Sequence, residues 1–113
     1  MKFGRWYPLV DAASQAPGGP GVFQVRVADG LLDYPRGKSA MVHYEAAADV
    51  RAAAVAFAAR HRDRDWLCRH TIEMTADEAA GADGLAARLV RDFATRFGQP
   101  PTVPSVPAAE GHP

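Results

Sequence analysis

The sequence predicts a small α/β (α+β) domain in which helices cover one side of a three-stranded, mostly antiparallel sheet. Two stretches alternate apolar and polar residues with a period of two, which is typical of half-buried strands, and a third short stretch also has the composition of a strand. Two others repeat apolar residues every three or four positions, which is typical of amphipathic helices. Because the chain has 113 residues, it has room for one domain. The elements follow in the order hairpin, helix, strand, helix.

An N-terminal arm, residues 1–20, precedes the first clear strand. It ends in Pro17-Gly18-Gly19-Pro20, which favours a loop. Its large apolar residues predict that the arm packs over one end of the core: Trp6, Tyr7, Leu9 and Val10. The arm does not have the pattern of a signal peptide, and the apolar run at residues 52–59 is too short for a membrane span.

The first strand and its return are predicted to form a hairpin. Residues 22–27 place Phe23, Val25 and Val27 on one face. Asp29-Gly30 follows, a dipeptide that favours a tight hairpin turn because both positions tolerate positive φ. Residues 31–34 would then begin the return strand. A loop at residues 35–39 interrupts it, and residues 41–44 continue it.

The first predicted helix begins near residue 47. Asp49 lies at its start, as a cap or in the first turn. The residues on its predicted inner face recur at helical spacing: Val50, Ala54, Phe57 and His61. A third strand follows, with one face formed by Trp66, Cys68, His70, Ile72 and Met74. These elements complete the sheet.

The last helix has a recognisable start and end. Thr75 and Glu78 fit a capping box, and Gly98 with Pro100 ends the helix. Its apolar stripe consists of Leu85, Leu89, Phe93 and Phe97. The α/β domain therefore spans residues 21–98. Five of the last fourteen residues are prolines, so residues 99–113 are predicted to form a disordered tail.

Charge and cysteine content restrict the classes of function. Thirteen basic and thirteen acidic side chains cancel, so no overall field attracts nucleic acid, membrane or acidic substrates. Cys68 is the single cysteine and cannot form an intramolecular disulfide, which favours a cytoplasmic protein. The four histidines do not have metal-ligand spacing. No metal and no cofactor is predicted.

Three short segments resemble the GIY-YIG domain, the small α/β fold of a nuclease superfamily. They are Gly21-Val22-Phe23 in the first strand, His43-Tyr44-Glu45 at the end of the second, and Ala48-Asp49-Val50-Arg51 at the start of the first helix. The resemblance covers residues 21–101. It implies a phosphodiesterase fold with its active site around the two strand motifs.

The chain departs from this family at the positions that the resemblance implies to be catalytic. Phe23 stands where the first motif has a tyrosine, and His43 or Tyr44 stands at the tyrosine of the second. Ala53 occupies the position of the phosphate-binding arginine, and residues 85–88 offer no metal-binding carboxylate. Without that carboxylate, phosphodiester hydrolysis loses charge neutralisation and positioning. The resemblance therefore implies a domain that has lost nuclease activity.

The candidate site is a cluster of polar residues within eleven positions of the chain. Its candidate catalytic residues are Lys38, His43 and Tyr44, with His43 as an acid/base. The candidate ligand-binding residues are Tyr34, Arg36 and Ser39 in this cluster, together with Arg51 at the start of the first predicted helix. Residues 34–39 form either an anion-binding loop or a solvated hairpin excursion, and the sequence leaves both readings open.

Three functions are compatible with these observations. The leading one is a GIY-YIG-like binding module for an anionic ligand or a protein partner. The second is a small-molecule enzyme of another reaction class that uses the segment from Tyr34 to Tyr44. The third is a residual metal-dependent nuclease. Nucleic acid is not the favoured partner. The ligand, any reaction and the oligomeric state are not predicted by the sequence.

Overall fold

The computed structural model describes residues 1–104, which form a mixed α/β fold with antiparallel strands. The strands are β1 (Lys2–Phe3), β2 (Tyr7–Pro8), β3 (Gly21–Val27), β4 (Leu32–Tyr34), β5 (Gly37–Ser39), β6 (Met41–Ala47) and β7 (Trp66–Glu73). The helices are α1 (Ala12–Gln15), which follows a 3₁₀ turn at Leu9–Asp11, then α2 (Val50–Arg60), α3 (Ala76–Ala80) and α4 (Ala82–Phe97). None of these helices is both long enough and apolar enough to cross a bilayer.

The main sheet is centred on β3. Strands β6 and β7 pair with β3 on its two sides, both antiparallel. The short strands β1 and β2 pair with the outer edge of β7 and bring the sheet to five strands. The three long strands match the sequence prediction. The two arm strands were not predicted, because two residues are too few to show a period.

Helices cover both faces of this sheet. Phe23 and Val25 pack in one cluster with Phe57 of α2, whereas Val22 packs with Ala86 of α4 in another. Because consecutive strand residues point to opposite faces, α2 and α4 lie on opposite sides of β3. The prediction that the helices cover only one side is wrong.

The predicted hairpin turn at Asp29-Gly30 does not join two paired strands. Gly30 does have a positive φ of 76°, but β3 pairs with β6, and β4 and β5 form a separate two-stranded sheet between them. Tyr34 anchors this excursion: it is buried, and its hydroxyl donates to the Met41 carbonyl at 2.6 Å. The β4–β5 hairpin, attached through Tyr34, therefore lies where the sequence predicted a direct return strand.

The predicted helix ends are confirmed. The Asp49 side chain caps α2 by accepting from the Ala52 N–H at 3.1 Å. Thr75 and Glu78 form the complete capping box of α3. Gly98 ends α4 with a φ of 92°, a left-handed conformation that favours glycine. The predicted last helix is divided at residue 81 into α3 and α4.

The N-terminal arm contributes to the core. Leu9, Ala12 and Ala16 are buried in the same cluster as Phe57. Arg51, which the sequence assigned to ligand binding, donates from its Nε to the Ala16 carbonyl at 2.7 Å. In the structure Arg51 therefore fastens the arm to α2.

Residues 101–104 lie against the body of the protein, although the sequence placed them in the disordered tail. Val103 packs against the α2-side core. The Thr102 N–H donates to the Tyr34 hydroxyl at 3.2 Å, and the Pro104 carbonyl accepts from Arg64 at 3.1 Å. The remainder of the predicted tail, residues 105–113, lies outside the described residues.

Shortening the chain to end at Pro100 is expected to destabilise it by about 1–2 kcal/mol, because an apolar contact and two hydrogen bonds are lost. The comparison is with a chain that ends at Pro104 and keeps all three contacts. Thermal unfolding of the two proteins should differ by several degrees. Equal melting temperatures would show that residues 101–104 do not contribute to stability.

Candidate functional site

The predicted loop residues make contacts within the protein. Arg36 donates from Nη2 to the carbonyl oxygens of Thr95 at 2.8 Å and Ala94 at 3.3 Å, near the C-terminal end of α4. A guanidinium is favourable there because the helix end carries partial negative charge. The Ser39 hydroxyl accepts from the Met41 N–H at 3.2 Å, within the turn into β6. Together with the buried Tyr34, these residues attach the β4–β5 hairpin to its surroundings.

Lys38 is exposed and paired within the same hairpin. Its ammonium lies 2.8 Å from the Asp33 carboxylate, and 63% of its side chain is accessible. The hydrogen bond raises the pKa of Lys38 and lowers the pKa of Asp33. An exposed pair of this kind adds little stability. The polar side chains of this hairpin therefore bind mainly to other groups of the protein.

His43 lies on the α2 face of the sheet. Its ring stacks on Phe57 with 4.3 Å between centroids, and its Nε2 lies 2.7 Å from the Glu45 Oε1. His61 packs on the same phenylalanine at 4.5 Å. Burial, followed by the nearby Arg60 and Arg64, lowers the pKa of His61. His43 and Glu45 thus form a partly exposed, hydrogen-bonded pair.

Tyr44 lies on the opposite, α4 face. Its ring contacts Phe93 with 5.9 Å between centroids. Because His43 and Tyr44 point to opposite faces, the structure does not bring them together with Lys38 in one cavity. Each must be considered with its own neighbours.

Tyr44 begins a polar row that crosses the three long strands. It pairs with Gln24 of β3, which in turn pairs with Arg69 of β7. Gln24 is only 3% exposed, and its side-chain oxygen accepts from the Arg69 Nε at 2.7 Å. Arg26 lies two residues further along β3 and therefore projects from the same face. Helix α4 covers the apolar part of this face, around Val22, and contacts Tyr44 through Phe93.

Aromatic residues of the arm cover the two arginines. The guanidinium carbon of Arg69 lies 4.5 Å from the centroid of Trp6 and 4.9 Å from that of Phe3. The guanidinium carbon of Arg26 lies 4.9 Å from Trp6. Such cation–π contacts hold the two guanidinium groups in place. We call Trp6, Gln24, Arg26, Tyr44 and Arg69 the arginine face.

The arginine face carries positive charge that the described chain does not neutralise. None of the three ion pairs found in residues 1–104 includes Arg26 or Arg69. The Arg26 Nε is buried and has no hydrogen-bond partner there. Burial lowers the pKa of Arg69, and the like charge of Arg26 lowers it further. Tyr44 acts in the opposite direction and raises it. A bound anion would offset both the burial of charge and the repulsion.

The hydroxyl of Tyr44 completes the set of donors. Burial raises the pKa of Tyr44, although Arg69 acts in the opposite direction. The phenol therefore stays protonated at neutral pH and can donate a hydrogen bond.

Sequence reasoning identified Tyr44 but missed the two arginines. Arg26 and Arg69 are far apart in the chain, and each occupies the polar side of an alternating strand. Their meeting depends on the register between β3 and β7, which local patterns do not encode. The available signal was that two neighbouring strands both carry arginine on their polar faces.

In residues 1–104 no group of three His, Cys, Asp or Glu side chains is arranged to hold a metal ion. Comparison of the chain with family models, with curated proteins and with solved structures finds no match.

Proposed function

We propose that this chain is a divergent GIY-YIG-like domain that has lost nuclease chemistry and binds a phosphate-type anion at the arginine face. The anion is a small molecule or a group carried by a protein partner. One observation carries the proposal: the guanidinium groups of Arg26 and Arg69 lie beside one aromatic ring, with no carboxylate partner in the described chain.

The chemistry of the face favours a phosphate over a single carboxylate. Guanidinium groups present planar, paired donors that match the oxygens of phosphate. Two of them, with the Tyr44 hydroxyl nearby, suit an anion with three or more acceptor oxygens. Their partial burial strengthens each interaction, because the local dielectric is lower than that of water.

The relation to the GIY-YIG fold is supported by the positions of the two motif residues. Phe23 and His43 occupy the tyrosine positions in the resemblance, and their rings lie 5.8 Å apart on neighbouring strands. Phe23 has no hydroxyl and is fully buried. A phosphodiester could neither react with this side chain nor reach it, which is the basis for proposing that the nuclease chemistry has been lost.

Replacing Arg26 or Arg69 by methionine should weaken binding of inorganic pyrophosphate about tenfold or more, because each change removes one charge-assisted donor pair. Methionine keeps an unbranched apolar stem, so the packing on Trp6 is largely preserved. Isothermal titration calorimetry measures the effect. Arg62→Met is the matched control, because Arg62 is exposed and lies outside the arginine face.

Lysine at either position should restore part of the affinity, since it keeps the charge but loses the paired donors. If Arg26→Met and Arg69→Met bind pyrophosphate as tightly as the wild type does, the arginine face is excluded as the binding site. An equal loss in Arg62→Met would indicate a general charge effect only.

A second candidate function rests on the pair of His43 and Glu45. The 2.7 Å contact and the partly exposed ring favour an acid/base role in a small-molecule enzyme. Hydrolysis of p-nitrophenyl acetate tests it. His43→Gln should abolish the protein-dependent rate, and Glu45→Gln should change its pH profile, whereas His70→Gln serves as control. Equal rates in wild type and His43→Gln would eliminate this candidate.

A further inference from the structure

A cleft lies between the N-terminal arm and the outer edge of β7. Its volume is about 450 Å³, within the usual size range of small-molecule sites. The residues that define it come from the arm and from β7: Arg5, Trp6, Tyr7, Gln15, His70 and Ile72. Apart from Trp6, none of them belongs to the arginine face.

A hydrogen-bonded pair forms one wall of the cleft. The Tyr7 hydroxyl lies 2.9 Å from the His70 Nδ1. Burial raises the pKa of Tyr7 and lowers the pKa of His70, so both groups are neutral at neutral pH. The pair therefore presents a neutral, hydrogen-bonding surface to the cleft.

An apolar surface lies beside these polar groups. Ile72 is 58% exposed, an unusual degree for a large aliphatic side chain in a paired strand. Gly4 allows the arm to pass close to it, since a Cβ at Gly4 would lie only 2.9 Å from the Ile72 Cγ2. The cleft therefore joins an apolar contact surface to a neutral hydrogen-bonding pair.

Positive charge lies in the same cleft. Arg5 is exposed and is not part of any ion pair in the described portion of the chain. The polar side chain of Gln15 adds further hydrogen-bonding capacity. No carboxylate lines the cleft. The charge and the lining thus complement a molecule with an apolar body and one negative end.

We infer that this cleft binds a small organic carboxylate, with its apolar body against Ile72 and Trp6 and its carboxylate paired with Arg5. The site is separate from the proposed anion site. It also differs in chemistry, because it offers one guanidinium and an apolar wall instead of two guanidiniums. It gives the arm strands β1 and β2 a role in ligand binding.

Two-dimensional NMR titration with benzoate, at constant ionic strength, tests this site. The amide signals of Gly4, Gln15 and Ile72 and the indole signal of Trp6 should shift with a dissociation constant below about 10 mM. Benzamide has the same shape without the charge and should bind about fivefold or more weakly. Arg5→Ala should weaken benzoate by a similar factor.

Two substitutions of opposite charge at Ile72 distinguish a carboxylate-binding site from a purely apolar one. Ile72→Glu should weaken benzoate about fivefold or more by repulsion, whereas Ile72→Lys should keep or increase the affinity. Because Ile72 is exposed, both variants should fold, and thermal unfolding is the measurement that checks this. Arg62→Met, at an exposed arginine outside both sites, should leave the benzoate shifts in the cleft unchanged and controls for a general loss of positive charge.

Three results would overturn the inference. The first is an absence of shifts at the cleft signals in the wild-type protein. The second is equal affinity for benzamide and benzoate. The third is an equal loss of benzoate binding in Ile72→Glu and Ile72→Lys, which would show that the negative end of the ligand is not recognised there.

Discussion

Replacing Phe93 by alanine is expected to lower the free energy of unfolding by about 3–5 kcal/mol, through lost burial and the cavity left behind. Phe93 is only 6% exposed. Its ring centroid lies 4.5 Å from that of Phe97, 5.0 Å from Tyr34 and 5.9 Å from Tyr44. One side chain therefore connects α4 to the β4–β5 hairpin and to β6.

Denaturant unfolding of the purified variant measures this effect. Leu85→Ala is the matched control, because Leu85 belongs to the stripe predicted from the sequence but lies at the edge of a shallow groove. We expect it to cost less than half as much as Phe93→Ala. A loss below about 1 kcal/mol for Phe93→Ala would mean that α4 is not held on the sheet by this residue.

The elements that sequence patterns predicted are those that depend on neighbouring residues. Alternation in residues 22–27 and 66–74 predicted β3 and β7, since the period of two is a local property. The Asp49 cap of α2 and the end of α4 at Gly98 could also be predicted, because helix caps depend on residues close together in the chain. In α4 the stripe was shifted, because the small Ala82 and Ala86 are buried while Leu85 lies at the edge of the core.

The features that the sequence did not predict depend on distant partners. Asp29-Gly30 has the local preference for a turn, yet β3 pairs with β6, and the β4–β5 hairpin between them is attached through Tyr34. The arginines of the arginine face meet only through the register of β3 and β7. Arg36 reads as an anion ligand in sequence, but its partners on α4 are 58 and 59 residues away in the chain.

The purified protein is expected not to cleave DNA or RNA in the presence of Mg²⁺ or Mn²⁺. Three independent positions support this expectation. Phe23 has no ionisable oxygen and is fully buried. Residues 85–88 offer no carboxylate for a metal, and Ala53 cannot bind the phosphate. By analogy with the loss of one preorganised donor, each departure should remove about 3 kcal/mol of transition-state stabilisation.

Losses of that size, taken at three positions, lower the rate by several orders of magnitude even when their effects are not additive. Labelled single- and double-stranded oligonucleotides, incubated with each metal and resolved on a gel, measure the activity. Cooperative thermal unfolding of the same preparation shows that the protein is folded. Metal-dependent cleavage that follows the protein through two different columns, and that His43→Ala abolishes, would show that nuclease chemistry has been retained by another set of residues.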